Sequence, residues 1–117
     1  MEFRVKEFIN DKYAKAVNIL KDNLKENYHV FYGVRLSEIL FPASEYGSEA
    51  FFKEFESINS ITLPLVIFDT QERKTVMVIS LEDMLDLSLL CDEILEFFVI
   101  SNFADLLKDE RLVSLYK

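Results

Sequence analysis

The sequence predicts a mixed α/β (α+β) fold, and three observations support this class. An apolar repeat with helical spacing near the start of the chain is followed by short segments rich in aromatic and β-branched residues. Apolar residues make up 50% of the 117 positions, which is enough material for one core. The chain has only 2 Gly and 2 Pro and shows no repeat, so nothing resembles an interdomain linker. We therefore expect residues 1–117 to form a single domain.

The first element is a helix between Asn10 and Asn27, followed by a strand. Asn10 or Asp11 can cap the helix at its N-terminus. Its apolar positions recur at helical spacing: Tyr13, Ala16, Val17, Leu20 and Leu24. The segment Tyr28–Arg35 alternates and is rich in β-branched and aromatic residues, which predicts a strand that ends near Gly33.

A short helical region and a hairpin are predicted next. Residues 36–41 can form a helical turn that Pro42 stops, and residues 50–58 place several aromatic side chains on one helical face. Two apolar runs, residues 61–68 and 75–81, are joined by a polar segment and indicate a β-hairpin with both strands buried. Pro64 interrupts the first run and predicts an edge or bulged position, because proline cannot donate a hydrogen bond to a neighbouring strand.

The last third of the chain predicts a helix, a strand and a second helix. Residues 84–95 carry a broad apolar face typical of a deeply buried helix. Residues 97–101 suit a short strand. Asn102 can cap one final helix that contains Phe103, Leu106, Leu107 and Leu115.

The charge of the chain argues against simple binding to nucleic acid. The net charge is -8 and the isoelectric point is near 4.6. No Lys or Arg lies between Lys74 and Lys108, and this stretch contains Glu82, Asp83, Asp86, Asp92, Glu93, Glu96 and Asp105. Such a surface repels nucleic acid unless metal cations intervene, and it disfavours anionic membranes. An alternative is that these carboxylates imitate nucleic acid and block a DNA-binding surface on a target protein.

The sequence also predicts a cytoplasmic location. The single cysteine, Cys91, cannot form an intrachain disulfide, and the first residues lack an apolar stretch of signal-peptide length. No apolar run approaches the roughly 20 residues of a membrane-spanning helix. We expect a soluble protein that has no contact with membranes.

The order of these elements resembles the core of the PD-(D/E)xK nuclease superfamily. Residues 8–101 more narrowly resemble a bacterial family, domain of unknown function 2726, which is similar to restriction endonucleases. The most specific segment is YHVFYGVRLSEIL at residues 28–40, and residues 63–69 and 76–82 lie where that family has its catalytic strands. The resemblance implies a restriction-endonuclease-like three-layer core, helix-strand-strand-strand-helix-strand, with a mixed sheet flanked by helices.

The resemblance also implies a degenerate active site. Pro64 stands where the family has its first catalytic Asp, Ser80 stands where it has a Glu, and Glu82 alone keeps an acidic residue of the motif. Hydrolysis of a phosphodiester with Mg²⁺ needs closely spaced carboxylates to hold the ion. We therefore expect a catalytically inactive protein without a cofactor. The alternative is a nuclease that binds Mg²⁺ through relocated carboxylates, with Asp69, Glu82 and Asp83 as candidates.

Each candidate catalytic residue also has an ordinary structural interpretation, which we favour. Asp69 suits the start of a turn, and the acids at positions 82 and 83 suit the first turn of a helix. His29 is the only histidine and flanks a strand, where a surface position is more common than a catalytic one. Cys91 lies among apolar helix positions, which is typical of a buried, inert thiol.

Two further surfaces could bind a partner. Five basic residues in the first half could form a strip: Lys12, Lys15, Lys21, Lys25 and Arg35. The acids interspersed among them favour a mixed solvated face instead. Phe51, Phe52 and Phe55 follow a loop and could be partly exposed as a protein-binding patch. Our leading hypothesis is a non-enzymatic protein of nuclease-like fold that binds another protein, in bacterial defence or on a mobile element.

Overall fold

The computed structural model describes residues 1–82 and 96–117, and within them the chain forms helices around one sheet. The predicted helix at residues 84–95, Asp83 and Cys91 lie outside the described residues. In chain order the elements are α1 (Asp11–Asn23), β1 (Tyr28–Arg35), a 3₁₀ helix (Leu36–Glu38), α2 (Glu49–Asn59), β2 (Thr62–Asp69), β3 (Lys74–Ser80), β4 (Glu96–Val99), α3 (Phe103–Leu106) and α4 (Glu110–Val113).

The four strands form one mixed sheet in the order β1-β2-β3-β4. β1 and β2 are antiparallel, as are β2 and β3, whereas β3 and β4 are parallel. The prediction of a mixed sheet flanked by helices is confirmed. The narrower endonuclease-like arrangement stays a prediction.

Helix α1 begins where the sequence indicates, but it ends at Asn23, before the predicted end at Asn27. The amide of Tyr13 donates to the Asn10 side-chain oxygen at 2.9 Å, which caps the helix, and Leu24 adopts an extended conformation that ends it. Tyr13, Ala16 and Leu20 are buried against the sheet. This face positions α1 over the ends of β1 and β3.

The sheet has an apolar core on each face. The first core cluster joins α1 and the C-terminal helices to the sheet, and it includes Leu20, Leu65, Ile67, Met77, Ile79, Phe98, Leu106 and Leu112. The second core cluster joins the 3₁₀ helix and α2 to the other face, and it consists of Leu36, Ile58, Leu63, Val66 and Val78. Among the described residues, the second cluster is the smaller one, and α2 contributes only Ile58 to it.

At Gly33 and Pro64, the paired side chains of β1 and β2 change from contacts with one core cluster to contacts with the other. Tyr32 and its partner Leu65 pack in the first core cluster, whereas Val34 and its partner Leu63 pack in the second. The intervening pair is missing from the ladder, and Gly33 there has a φ of 75°. Pro64 removes a donor at the same point, so the ladder is interrupted where the change occurs.

This geometry corrects the prediction that Pro64 marks an edge or bulge. β2 lies between β1 and β3, so Pro64 is not on an edge strand. The register shift between β2 and β3 falls between Ile67 and Phe68. Pro64 is tolerated in an inner strand because the β1–β2 ladder already skips its position.

The C-terminal segment is divided into two short helices, α3 and α4, instead of the single predicted helix. Asn102 caps α3 as predicted, through a 3.1 Å hydrogen bond from the Asp105 amide. Asp109 then adopts an extended conformation, and its carboxylate accepts a 2.9 Å hydrogen bond from the Arg111 amide. The apolar spacing did not reveal this second cap, which begins a new helix.

The last residues of the described chain bond back to the end of α1. The Lys117 amide donates to the Asn23 carbonyl at 2.9 Å, and the Lys25 amide donates to the Leu115 carbonyl at 3.0 Å. Leu24 and Tyr116 form an isolated antiparallel bridge between these bonds. The carbonyl group of Asn23 at the end of α1 therefore has a hydrogen-bond partner far along the chain.

Candidate functional site

The positions that the resemblance assigns to catalysis lie at one end of the β2–β3 hairpin. At this end the β2–β3 ladder stops at the pair of Leu65 and Ile79. One further residue along each strand places Pro64 beside Ser80. The two positions are therefore neighbours in the sheet, but their side chains offer one hydroxyl group and no carboxylate.

Ser80 is completely buried, and its hydroxyl is engaged with the backbone of Glu82. The Glu82 amide donates to the Ser80 hydroxyl at 3.1 Å, and the hydroxyl donates to the Glu82 carbonyl. The carbonyl of Ser80 accepts a 2.8 Å hydrogen bond from the Ile100 amide. Ser80 thus shapes the bend after β3, which is a structural role.

Helix α1 fixes the same bend from the other side. The Leu81 amide donates to the Tyr13 hydroxyl at 3.2 Å, and the Lys12 ammonium lies 3.4 Å from the Leu81 carbonyl, to which it donates. Glu82 follows immediately and is exposed. The hydrogen bonds in this region connect backbone groups to the side chains of Lys12, Tyr13 and Ser80, of which Tyr13 belongs to the first core cluster.

Asp69 lies at the opposite end of the hairpin, where it organises the turn. Its carboxylate accepts hydrogen bonds from the Asn27 side chain at 3.2 Å and from the Gln71 and Glu72 amides at 2.9 and 3.4 Å. Desolvation is the largest single influence and raises the pKa of Asp69, but these three hydrogen bonds together lower it below the ordinary value. The turn interpretation of Asp69 accounts for all of these contacts.

The geometry separates Asp69 from Glu82. Asp69 pairs with Lys74 at the start of β3, whereas Glu82 follows Ser80 at its end. A strand of 7 residues spans about 20 Å, and a cation is held by oxygens within about 2.5 Å. Asp69 and Glu82 therefore lie too far apart to hold one ion together within the chain, and Asp83 lies outside the described residues. Across residues 1–82 and 96–117 no group of three His, Cys, Asp or Glu is arranged to hold a metal.

The basic residues of α1 and of the loop after it divide into two groups by what they contact, and Arg35 is exposed at the end of β1. Lys12 contacts the bend after β3, and the ammonium of Lys15 lies 4.5 Å from the centre of the Phe103 ring. Lys21 and Lys25 instead line a shallow depression of about 540 Å³, together with His29 of β1. His29 is exposed, as the surface interpretation expects.

An aromatic patch lies on α2 and on the loop before it. We use this name for Tyr46, Phe51, Phe52 and Phe55. The ring of Phe51 is at its centre, with ring centroids 4.9 Å from Tyr46, 5.5 Å from Phe52 and 6.4 Å from Phe55. Tyr46 is 84% exposed, Phe52 is 55% exposed and Phe55 is 41% exposed. The patch therefore presents several rings to solvent in contact with one another.

The sequence predicted the three phenylalanines of this patch but missed Tyr46. Tyr46 lies in the loop before α2, and neither helical spacing nor strand alternation connects it to the helix. Ser48 creates the connection, because its hydroxyl accepts a 3.1 Å hydrogen bond from the Phe51 amide and caps α2. The capped turn brings the loop aromatic against the helix.

Helix α2 is attached to the rest of the chain mainly near its C-terminal end. Ile58 is its buried residue and belongs to the second core cluster. The Ser37 hydroxyl donates to the Asn59 side chain at 3.0 Å, and the Ser44 amide donates to the Glu54 carboxylate at the same distance. Among the residues that the structure describes, the aromatic patch makes up much of the exposed surface of α2.

Comparison of the chain with family models, curated proteins and solved structures found no match. Within the part of the chain that the structure describes, no helix has both the length and the apolar character to cross a membrane.

Proposed function

We propose that this chain is a non-enzymatic protein of nuclease-like fold that acts by binding another protein through the aromatic patch. The observation that carries the proposal is the contact of four aromatic rings, three on α2 and one on the loop before it, three of which are exposed. Aromatic side chains supply large contact areas and are enriched among the residues that dominate binding energy at protein interfaces. A partner that covers these rings removes apolar surface from water.

The surroundings of the patch define the chemistry of the partner. Glu45, Glu49 and Glu56 are exposed around the rings, and Lys53 is the single basic residue of α2. A partner suited to this surface has an apolar groove that accepts the helix and a basic rim that faces the glutamates. Binding should accordingly weaken as the salt concentration rises.

The degenerate hairpin supports a function without catalysis. The Ser80 hydroxyl is held by the backbone of Glu82, and Pro64 contributes no ligand atom. The Asp69 carboxylate is engaged in its turn. The resemblance to restriction endonucleases implies that this hairpin would be the catalytic one in an active relative. A binding subunit in bacterial defence or on a mobile element would use the hairpin for the fold alone.

Charge reversal within the patch tests the proposal. The tagged protein is expressed in its own host, and partners are identified and then measured with purified components. We expect Phe52→Glu to weaken binding by at least about tenfold, since it removes an exposed aromatic contact and adds a charge to the interface. Val113→Glu is the matched control, because Val113 is 45% exposed on α4 and should leave binding unchanged.

A cleavage assay addresses catalysis directly. Purified protein is incubated with DNA and RNA in the presence of Mg²⁺ or Mn²⁺, and we expect no products. Cleavage that Glu82→Ala abolishes would contradict the proposal and favour the metal-dependent nuclease. A partner bound equally well by wild type and Phe52→Glu would instead exclude the aromatic patch as the binding surface.

A further inference from the structure

The first residues of the chain alternate between apolar and charged side chains. We call residues 1–6 the N-terminal arm; its apolar members are Met1, Phe3 and Val5, and its charged members are Glu2, Arg4 and Lys6. An alternation of period two is typical of a strand that buries one face. In the structure the arm forms neither helix nor strand, Phe3 is 87% exposed and Met1 and Val5 are fully exposed.

The root of the arm is fixed against β1. The ring of Phe8 meets the ring of Tyr32 edge to face, with centroids 5.5 Å apart, and Tyr32 packs in turn against Tyr13 at 5.6 Å. Ile9 packs against the first core cluster. The chain therefore leaves the folded domain beside β1 and carries an unpaired, strand-like segment.

β1 is an edge of the sheet among the described strands, and its burial is incomplete. Tyr28, Val30 and Tyr32 face the first core cluster but are only half-buried. Its pairing with β2 is continuous from Tyr28 to Tyr32 and is interrupted at Gly33. An open edge presents N–H and C=O groups to solvent and can accept another strand.

We propose that the arm of one copy of this chain pairs with the β1 edge of a second copy, and that the exchange is reciprocal. The arm has one residue more than the regular part of β1, so it is long enough to pair along residues 28–32. Its apolar side chains would cover the half-buried face of β1, and its charged side chains would lie on the face of His29 and Phe31. Because each arm serves the edge of the other copy, the product is a closed dimer with twofold symmetry.

The structure assigns the arm to another copy because the arm forms no strand with its own β1. Phe8 holds the root at Tyr32, yet residues 1–6 stay exposed and do not run along the edge of the same chain. This surface is separate from the aromatic patch on α2, so the dimer and the partner proposed above can be tested independently.

Light scattering on the full chain tests the exchange with two charge-matched double variants. Phe3→Lys with Val5→Lys adds two positive charges and destroys the apolar face of the arm. Glu2→Gln with Glu7→Gln changes the net charge equally and keeps that face. At about 100 µM we expect the wild type and the control to have twice the 13.7 kDa chain mass, and the lysine variant to dissociate at least about tenfold more readily.

Hydrogen exchange locates the contact. The amides of residues 28–32 should exchange more slowly in the wild-type dimer than in the lysine variant. A wild type that is monomeric at this concentration would overturn the proposal, as would a dimer that the lysine variant retains. A dimer lost in Phe52→Glu but kept in the lysine variant would assign the association to the aromatic patch instead.

Discussion

The bend after β3 and the aromatic patch on α2 use their side chains in opposite ways. At the bend, Ser80 is polar and buried, and its hydroxyl is satisfied by the backbone of Glu82. On α2, Phe52 and Phe55 are apolar and exposed. A polar residue at a position expected to be catalytic can thus serve the fold, whereas an apolar residue on the surface points to contacts beyond the chain.

The largest expected effect comes from placing a carboxylate where Ser80 lies. Ser80→Glu buries a charge and breaks the hydrogen bonds to the Glu82 backbone, so we expect the free energy of unfolding to fall by about 3–5 kcal/mol. Urea denaturation measures it. Glu82→Gln is the control, and a change within about 0.5 kcal/mol is expected because Glu82 is exposed. A stable Ser80→Glu protein that binds Mg²⁺ would show that the hairpin still accepts a catalytic carboxylate.

A second pair of variants compares a buried position of α2, Ile58, with an exposed one, Phe52. Ile58→Ala leaves a cavity in the second core cluster and should cost about 2–4 kcal/mol. Phe52→Ala removes a ring that is already half in solvent, so we expect a loss below about 1 kcal/mol. Thermal and urea unfolding of both variants provide the measurement. A loss of similar size in Phe52→Ala would mean that the aromatic patch stabilises the fold and is less available to a partner.

Gly33→Ala tests the point where the paired side chains of β1 and β2 change from one core cluster to the other. Gly33 has a φ of 75°, which an alanine adopts only with strain, so the substitution should cost about 1–2 kcal/mol. No atom outside the adjoining residues lies within 4 Å of the added methyl group, so the cost should come from the backbone alone. His29→Ala, on the same strand at an exposed position, is the control for urea unfolding. An unchanged stability would show that β1 can rearrange at Gly33.

The smallest effect concerns the turn at Asp69. Its pKa is lowered in the folded chain, so the ionised carboxylate stabilises the fold above its unfolded pKa of 3.8. This contribution is lost as the pH falls through the lower folded value. Asp69→Asn keeps an oxygen acceptor but does not titrate, so its stability should decline less than that of the wild type below about pH 4. Parallel curves of stability against pH for the two proteins would exclude this role.

The sequence predicted regular elements better than it predicted their irregular junctions. The alternation from Tyr28 predicted β1, which continues to Arg35 beyond the predicted end near Gly33, and Asn10 was one of two residues predicted to cap the start of α1. The division of the last helix was missed, because Asp109 acts through a local cap that apolar spacing does not reveal. The sequence predicted an edge or bulge at Pro64. This prediction was wrong because an inner strand accepts the proline opposite Gly33, and only strand pairing brings these two residues together.

The candidate site was predictable where it depends on one helix and unpredictable where it depends on register. Phe51, Phe52 and Phe55 share a face of α2 through helical spacing alone. The separation of Asp69 from Glu82 follows from the antiparallel pairing of β2 with β3, which assigns the two acids to opposite ends. A linear motif cannot distinguish these arrangements until the direction of the hairpin is known.

The bridge between Leu24 and Tyr116 has a consequence for the order of folding. Its flanking hydrogen bonds join Asn23 to Lys117 and Lys25 to Leu115, so the loop that they close contains most of the chain. Closing such a loop costs entropy that local contacts do not, and contacts of this sequence separation slow folding. The C-terminal end of the earliest helix should therefore be the last part of α1 to gain protection during refolding, after the hairpin has formed.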